Sequence, residues 1–256
     1  MNQQFLTELK AVTAENRIFT DEPMKKHTTF RVGGPADILV QPKGTELAAV
    51  IRLCRKYDVP YQVIGNGSNL LVGDRGIRGL VIEMLSKEDE ICVEDDCITV
   101  GAGMLLSKTA NRAAEHGLTG MEFAAGIPGR IGGAVVMNAG AYGGEMKDIL
   151  TAVTVLDQEG NEKILSAEEL ELGYRTSCIL KKGYIVTGAK IKLKHGEETA
   201  IRARMEELKK QRVEKQPLEY PSAGSTFKRP EGYFAGKLIM DAGLSCLLYT
   251  SDAADD

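Results

Sequence analysis

GIPGRIGGAVVMNAGAYGG, residues 126–144, is the stretch on which the reading of this chain turns, because seven of its residues are glycine. Glycine loses more backbone entropy on folding than any other residue, so a cluster this dense needs a physical reason. Two compete. One is a set of turns with positive φ; the other is backbone laid directly against a ligand, where any Cβ would collide. Pro128, Asn138 and Tyr142 stand among small apolar residues with almost no charge. That mixture suits a large, flat, partly anionic ligand better than a solvated loop.

Working outward, a second glycine turn, GNGSN at 65–69, follows the apolar run Tyr61-Gln62-Val63-Ile64, which reads as a strand. Neither common nucleotide fingerprint is present: no GxGxxG lies between a strand and a helix, and no GxxxxGK[ST] occurs. Successive backbone amides in such turns form anion nests. GNGSN alone reads as a tight connection. Paired with GIPGRIGG, a turn expected to be full of free N–H groups, it reads as one of two nests for a dinucleotide pyrophosphate.

The remaining periodicity predicts an α+β fold rather than a doubly wound sheet. An amphipathic helix opens the chain. A second covers 45–58, with Thr45 as N-cap and Leu47, Val50, Ile51 and Cys54 on one face. Strands are expected at 79–83, 90–94, 97–100, 152–157 and 184–193. Asp95-Asp96 reads as a hairpin turn, and a helix over 105–116 stops at Gly117. Residues 197–214 form a charged helix with a thin apolar stripe, read as a link between domains. KLIMDAGL (237–244) reads as the start of a buried element. The stretch 246–256 that follows lacks periodicity and is read as a non-native tail, against the alternative of a disordered terminus.

Composition narrows the classes. The 256 residues carry a net charge of -4, which provides no basic field for nucleic acid. No apolar run approaches the ~18 residues of a membrane span, and no signal-peptide core precedes the first helix, so a cytoplasmic protein is expected. Five cysteines, Cys54, Cys92, Cys97, Cys178 and Cys246, show no CxxC spacing and read as reduced thiols. His27, His116 and His195 are scattered and read as surface or packing residues, not metal ligands.

Two further segments hold candidate chemistry. LGYRTSCIL (172–180) sets Arg175 among apolar residues. An Arg on a loop is ordinarily a solvated charge, but one entering a cleft is suited to bidentate carboxylate recognition. PSAGSTFK (221–228) surrounds Ser225 with small residues that leave its hydroxyl accessible. Without a histidine in a helpful context, Ser225 reads as a proton donor rather than an acylated nucleophile. Lys215, Lys228 and Arg229 are either phosphate contacts or surface charges.

HTTFRVGGPAD (27–37), VIGNGSNLLV (63–72), the glycine run extended to Glu145, YRTS (174–177) and PSAGSTFKRPEGYFAGKLI (221–239), in this order, closely resemble the MurB family of UDP-N-acetylenolpyruvoylglucosamine reductases in its shorter form. The resemblance implies a two-lobed FAD-binding domain of the vanillyl-alcohol oxidase type over 1–195, then an incomplete α+β substrate domain over 196–245. It implies FAD lying across Gly65, Asn66, Gly67, Ser68, Asn69 and Leu70, and across Gly126, Ile127, Pro128, Gly129, Ile131, Gly132, Gly133, Asn138, Ala139, Gly140 and Ala141. NADPH would reduce the flavin, and a UDP-sugar would follow it into the same cleft. Arg175 and Ser225 match the family's catalytic Arg and proton donor; Lys215 and Lys228 would face the diphosphate. A monomer is expected. Two departures stand out. Arg130 occupies a position where the family implies a small or hydroxyl-bearing residue; it would pair with the FAD pyrophosphate or point to solvent. The family's C-terminal catalytic Glu has no counterpart after Glu231. Other readings are an FAD oxidoreductase of the same superfamily acting on an alcohol or sugar, and a non-catalytic flavin-binding module.

Overall fold

The computed structural model describes residues 3–86, 91–216 and 218–244. Its contacts divide the chain into two units, Met1–Ser222 and Ala223–Asp256.

The first unit opens with α1 (Gln3–Val12), β1 (Ile18–Pro23), β2 (Pro35–Val40), α2 (Gly44–Lys56), β3 (Tyr61–Ile64) and β4 (Ile77–Glu83). The four strands make one sheet in the order β1-β2-β4-β3, with β1 antiparallel to β2 and both β2 and β3 parallel to β4. The continuous apolar run Leu80-Val81-Ile82 suits β4 to the interior of the sheet, buried on both faces. Alternation then sorts the side chains. Ile38, Val40, Leu80 and Ile82 pack with Phe5, Leu9, Val50 and Ile51 of the two helices, while Leu39 and Val81 pack on the other face with Met24 and Val72.

The helix expected over 45–58 forms, and its apolar face is buried as read. Its start differs from the expectation. Thr45 lies inside the helix, and the N-cap is Lys43, whose backbone N–H donates to the Glu46 carboxylate at 2.9 Å. The acidic side chain three residues on supplies the cap instead of a hydroxyl.

The second half of this unit contains β5 (Ile91–Glu94), β6 (Cys97–Gly101), α3 (Leu106–Glu115), β7 (Leu118–Thr119), α4 (Ile131–Val136), β8 (Gly140–Ala141), β9 (Gly144–Glu145), β10 (Leu150–Leu156), β11 (Glu162–Ser166), α5 (Cys178–Lys182), β12 (Ile185–Lys192), β13 (Lys194–His195) and α6 (Glu198–Lys215). An antiparallel five-stranded sheet runs β11-β10-β12-β6-β5. Asp95 turns the β5–β6 hairpin with φ of +52°, and Gly117 closes α3 with φ of +63°. The two halves share a core, because Leu156 and Ile185 pack among the residues of α2.

The charged helix forms as α6, but it belongs to the first unit. Ile201 and Leu208 are buried, and the helix packs against α3 and the turn at Glu122–Ala124. The division between the two compact units falls after Ser222. In the second unit the KLIMD part of KLIMDAGL lies in α7 (Ala235–Asp241), a helix with no buried residue. Leu238 and Met240 are exposed, contrary to the buried element expected there. Cys246 and the tail at 246–256 lie outside the described residues.

Candidate cofactor site

The first glycine turn leaves the end of β3. Gly67 is buried with φ of +57°, and a Cβ on it would stand 2.0 Å from the His27 carbonyl, so only glycine fits. Among the described residues, the backbone N–H groups of Asn66, Gly67, Ser68 and Asn69 find no acceptor. Four successive backbone donors without an internal acceptor are what an anion nest requires. HTTF folds beside it. Thr29 N–H donates to the Gly67 carbonyl, and a cavity of about 300 Å³ opens among His27, Thr28, Thr29, Arg31, Asn66 and Glu83.

His27 is neither a simple surface nor a packing residue. Its Nδ1 lies 3.1 Å from Glu83 and its Nε2 3.1 Å from Glu22. The Glu83 Oε2 that faces His27 also accepts from Gln41 Nε2 at 2.7 Å. This set of bonds fixes the end of β4 beneath the first turn. Among the described residues no cluster of His, Cys, Asp or Glu is suited to a metal ion.

The 126–144 run proves more engaged with the protein than an open nest. Ile127, Gly129, Ile131 and Gly132 give their N–H groups to carbonyls of the chain, the last two to Met104 and Ala102. Its glycines divide by cause. Gly143 alone has positive φ. Gly132, Gly140 and Gly144 permit close internal approach: an added Cβ would stand 3.1 Å from Ala102 Cβ, 2.7 Å from Glu145 Cβ and 2.6 Å from the Phe123 ring respectively. Internal packing is thus a third cause beside the two weighed from sequence. Gly133 is different, being exposed with nothing within 4 Å of its added Cβ, so its missing side chain leaves room for a ligand. The two glycine segments meet: Asn66 Nδ2 donates to the Pro128 carbonyl at 3.0 Å. The Leu70 side of the first turn and Ala139 to Ala141 of the second are partly accessible.

Asn138 has φ of +40° and is 2% exposed. Its Nδ2 donates to Glu145 and to the Gly173 carbonyl, and its Oδ1 accepts from Lys147 N–H. The side chain is fully used inside the protein, so its role is to hold the run in place. Gly173 begins a tight turn closed by Thr176, with Tyr174 and Arg175 at its tip. Arg175 adopts φ of +56°, is half-buried, and lies 5.5 Å from the Tyr174 ring centroid. Ser177, fully buried, donates to the Val136 carbonyl at 2.8 Å and caps α5. Two bonds thus fix the Arg175 turn to the glycine run, a link that sequence spacing did not reveal.

Ser225 and Lys228 lie in the second unit, both exposed. Lys215 ends α6, and its side chain lies outside the described residues.

Comparison with known proteins agrees with this architecture. Residues 36–166 match the FAD binding domain family, and residues 216–250 match the UDP-N-acetylenolpyruvoylglucosamine reductase C-terminal domain. The UDP-N-acetylenolpyruvoylglucosamine reductase of Agathobacter rectalis is 54% identical over 95% of this chain and 82% of its own length. That of Clostridium perfringens is 53% identical over 95% of this chain and 81% of its own. The crystal structure of the Thermus caldophilus enzyme (MurB) superposes with a TM-score of 0.74 at 43% identity, covering 87% of this chain and 79% of that one. A 4-ethylphenol oxidase from Gulosibacter chungangensis, at 15% identity and a TM-score of 0.56, shares the fold alone. The α+β fold is that of an FAD-binding domain followed by part of a MurB C-terminal domain, and the chain belongs to the UDP-N-acetylenolpyruvoylglucosamine reductase family.

Proposed function

We propose that this protein uses FAD and NADPH to reduce UDP-N-acetylglucosamine enolpyruvate to UDP-N-acetylmuramate, a step of peptidoglycan precursor synthesis. The carrying observation is that the glycine run and the Arg175 turn are one hydrogen-bonded piece, through Asn138 to Gly173 and Ser177 to Val136. A cofactor laid on the run therefore has Arg175 fixed relative to it.

The residues present fit FAD. The unaccepted N–H groups at 66–69 suit a pyrophosphate, and the open space at Gly133 suits a flat ring system. When bound, FAD supplies a carrier that takes hydride from NADPH and delivers it to the enoyl carbon. Arg175 holds the substrate carboxylate, where negative charge grows as the β-carbon is reduced. Its planar fork suits a carboxylate better than a lysine would. Ser225 supplies the proton to the α-carbon, a weak acid made adequate by its position against a strongly basic carbon. Lys215 and Lys228 bind the diphosphate. We place the FAD-binding domain at the start of the chain and the substrate domain after it. We further propose that the protein works as a monomer in the cytoplasm; no described helix is long and apolar enough to cross a membrane.

Absorbance spectroscopy tests the reading. The purified chain with FAD should show a protein-bound flavin spectrum that bleaches with NADPH and returns when the enolpyruvyl sugar nucleotide is added. No bound flavin at saturating FAD would refute the cofactor site. Bleaching that the enolpyruvyl substrate does not reverse would refute the reductase activity of this chain.

A further inference from the structure

Arg130 is the one residue of the glycine run with a long charged side chain, and the structure does not send it to solvent. Its aliphatic stem lies against Gly65, where an added Cβ would stand 3.2 Å from Arg130 Cβ. One terminal nitrogen donates to the Gly103 carbonyl. Its Nε is buried and has no hydrogen-bond partner. No described carboxylate forms an ion pair with it; Glu83, the charge that bears on it, is already engaged with His27 and Gln41. Burial draws the guanidinium pKa down, and the Glu83 charge opposes that. A guanidinium stays protonated regardless, so a partly desolvated, unpaired cation remains in the fold.

Such a group is costly unless an anion completes it. Its surroundings identify the anion. Arg130 packs on Gly65, next to the four unaccepted N–H groups at Asn66–Asn69, and Asn66 ties that turn to Pro128, two residues before Arg130. Neutral amides and a fixed cation thus converge on one place. Gly65 also acquires a reason: a side chain there would displace the arginine stem.

We propose that Arg130 is a cofactor-binding residue, its guanidinium set against a pyrophosphate oxygen of the dinucleotide held in the 65–69 turn. It makes a charge-assisted contact that a small or hydroxyl-bearing residue at this position does not make. The inference rests on the FAD reading of the site.

The test compares FAD with riboflavin, which has the same ring but no phosphate, by fluorescence titration of the purified chain and of Arg130→Gln and Arg130→Lys. The ratio of FAD to riboflavin affinity should fall roughly 10- to 100-fold in Arg130→Gln, the range of a lost hydrogen bond to a charged group. Arg130→Lys should recover part of the loss. A ratio unchanged in both variants, whatever their stability, overturns the proposal. So does an equal loss for both ligands, which places the arginine against the flavin or in the fold alone. Failure of the unaltered chain to bind FAD is a separate result, and it removes the cofactor reading itself.

Discussion

Asn138 donates its side-chain amide to the Gly173 carbonyl across 3.2 Å, joining the glycine run to the turn that carries Arg175. Asn138 is left-handed, and Gly173 opens a two-residue turn whose tip is left-handed at Arg175. Left-handed residues other than glycine are uncommon, and asparagine tolerates the conformation better than most. Asn138→Ala removes three bonds from a site 2% exposed and leaves the Lys147 N–H without its acceptor. The expected loss is about 2–4 kcal/mol of stability, read from the midpoint of urea unfolding. An unchanged midpoint would show that the link contributes nothing.

The glycines of the run should separate into two classes on substitution. Gly144→Ala drives a Cβ to 2.6 Å from the Phe123 ring and should destabilise the fold before any cofactor is considered. Gly133→Ala meets no protein atom and sits in a helix that favours alanine, so thermal stability should hold or rise slightly. Its effect should appear as weaker FAD binding. Equal FAD affinity in Gly133→Ala and the parent would mean that the space at Gly133 is not part of the site.

Half-reactions should isolate the chemical groups. Arg175→Gln should bleach with NADPH at a nearly normal rate and reoxidise with substrate about 10²- to 10³-fold more slowly, the range for losing one preorganised group at a developing charge. Ser225→Ala should show the same asymmetry, about 10²- to 10⁴-fold. Stopped-flow absorbance measures both steps. Equal slowing of reduction and reoxidation would remove these residues from their assigned roles.

Asp157 governs a different property. Its carboxylate accepts from the N–H groups of Asn161 and Glu159, with Lys163 at 3.0 Å, and the Asn161 bonds foremost lower its pKa from 3.8 to about 2. A depressed carboxylate pKa stabilises the fold above the ordinary value, and that stability is lost as pH falls through about 2. Asp157→Asn should therefore melt several degrees lower at pH 7, with the gap closing as pH falls from about 4 toward 2. A gap independent of pH would show that shape rather than charge makes the turn.

Legibility in the sequence followed the range of the interactions. Helices over 44–56 and 106–115 and the strands at 61–64 and 97–101 were readable because their apolar period is local. β1 and β11 were not. IFTDEP carries acidic residues and proline, and EKILS is a sheet-edge strand whose Ile164 is 70% exposed, so neither shows strand alternation. The ordered motifs gave the family, whereas the surroundings of Arg130 did not appear in them. They come from Gly65, Gly103 and Glu83, which are far apart in sequence and meet only through the two sheets.

The placement of β12 also sets an order of events during synthesis. This strand lies between β10 and β6, pairing Gly188 with Gly101, and Thr187 accepts from Ala102, the residue whose carbonyl holds Gly132. The backing of the glycine run is thus missing until roughly ninety residues after β6 have left the ribosome, about 5 to 18 seconds at about 5–20 residues per second. The four-stranded sheet is encoded by residue 83 and has all its strands before then. A nascent chain halted between β4 and β12 therefore holds the first turn without the surface that completes it, and cofactor loading is a late event in the life of each molecule.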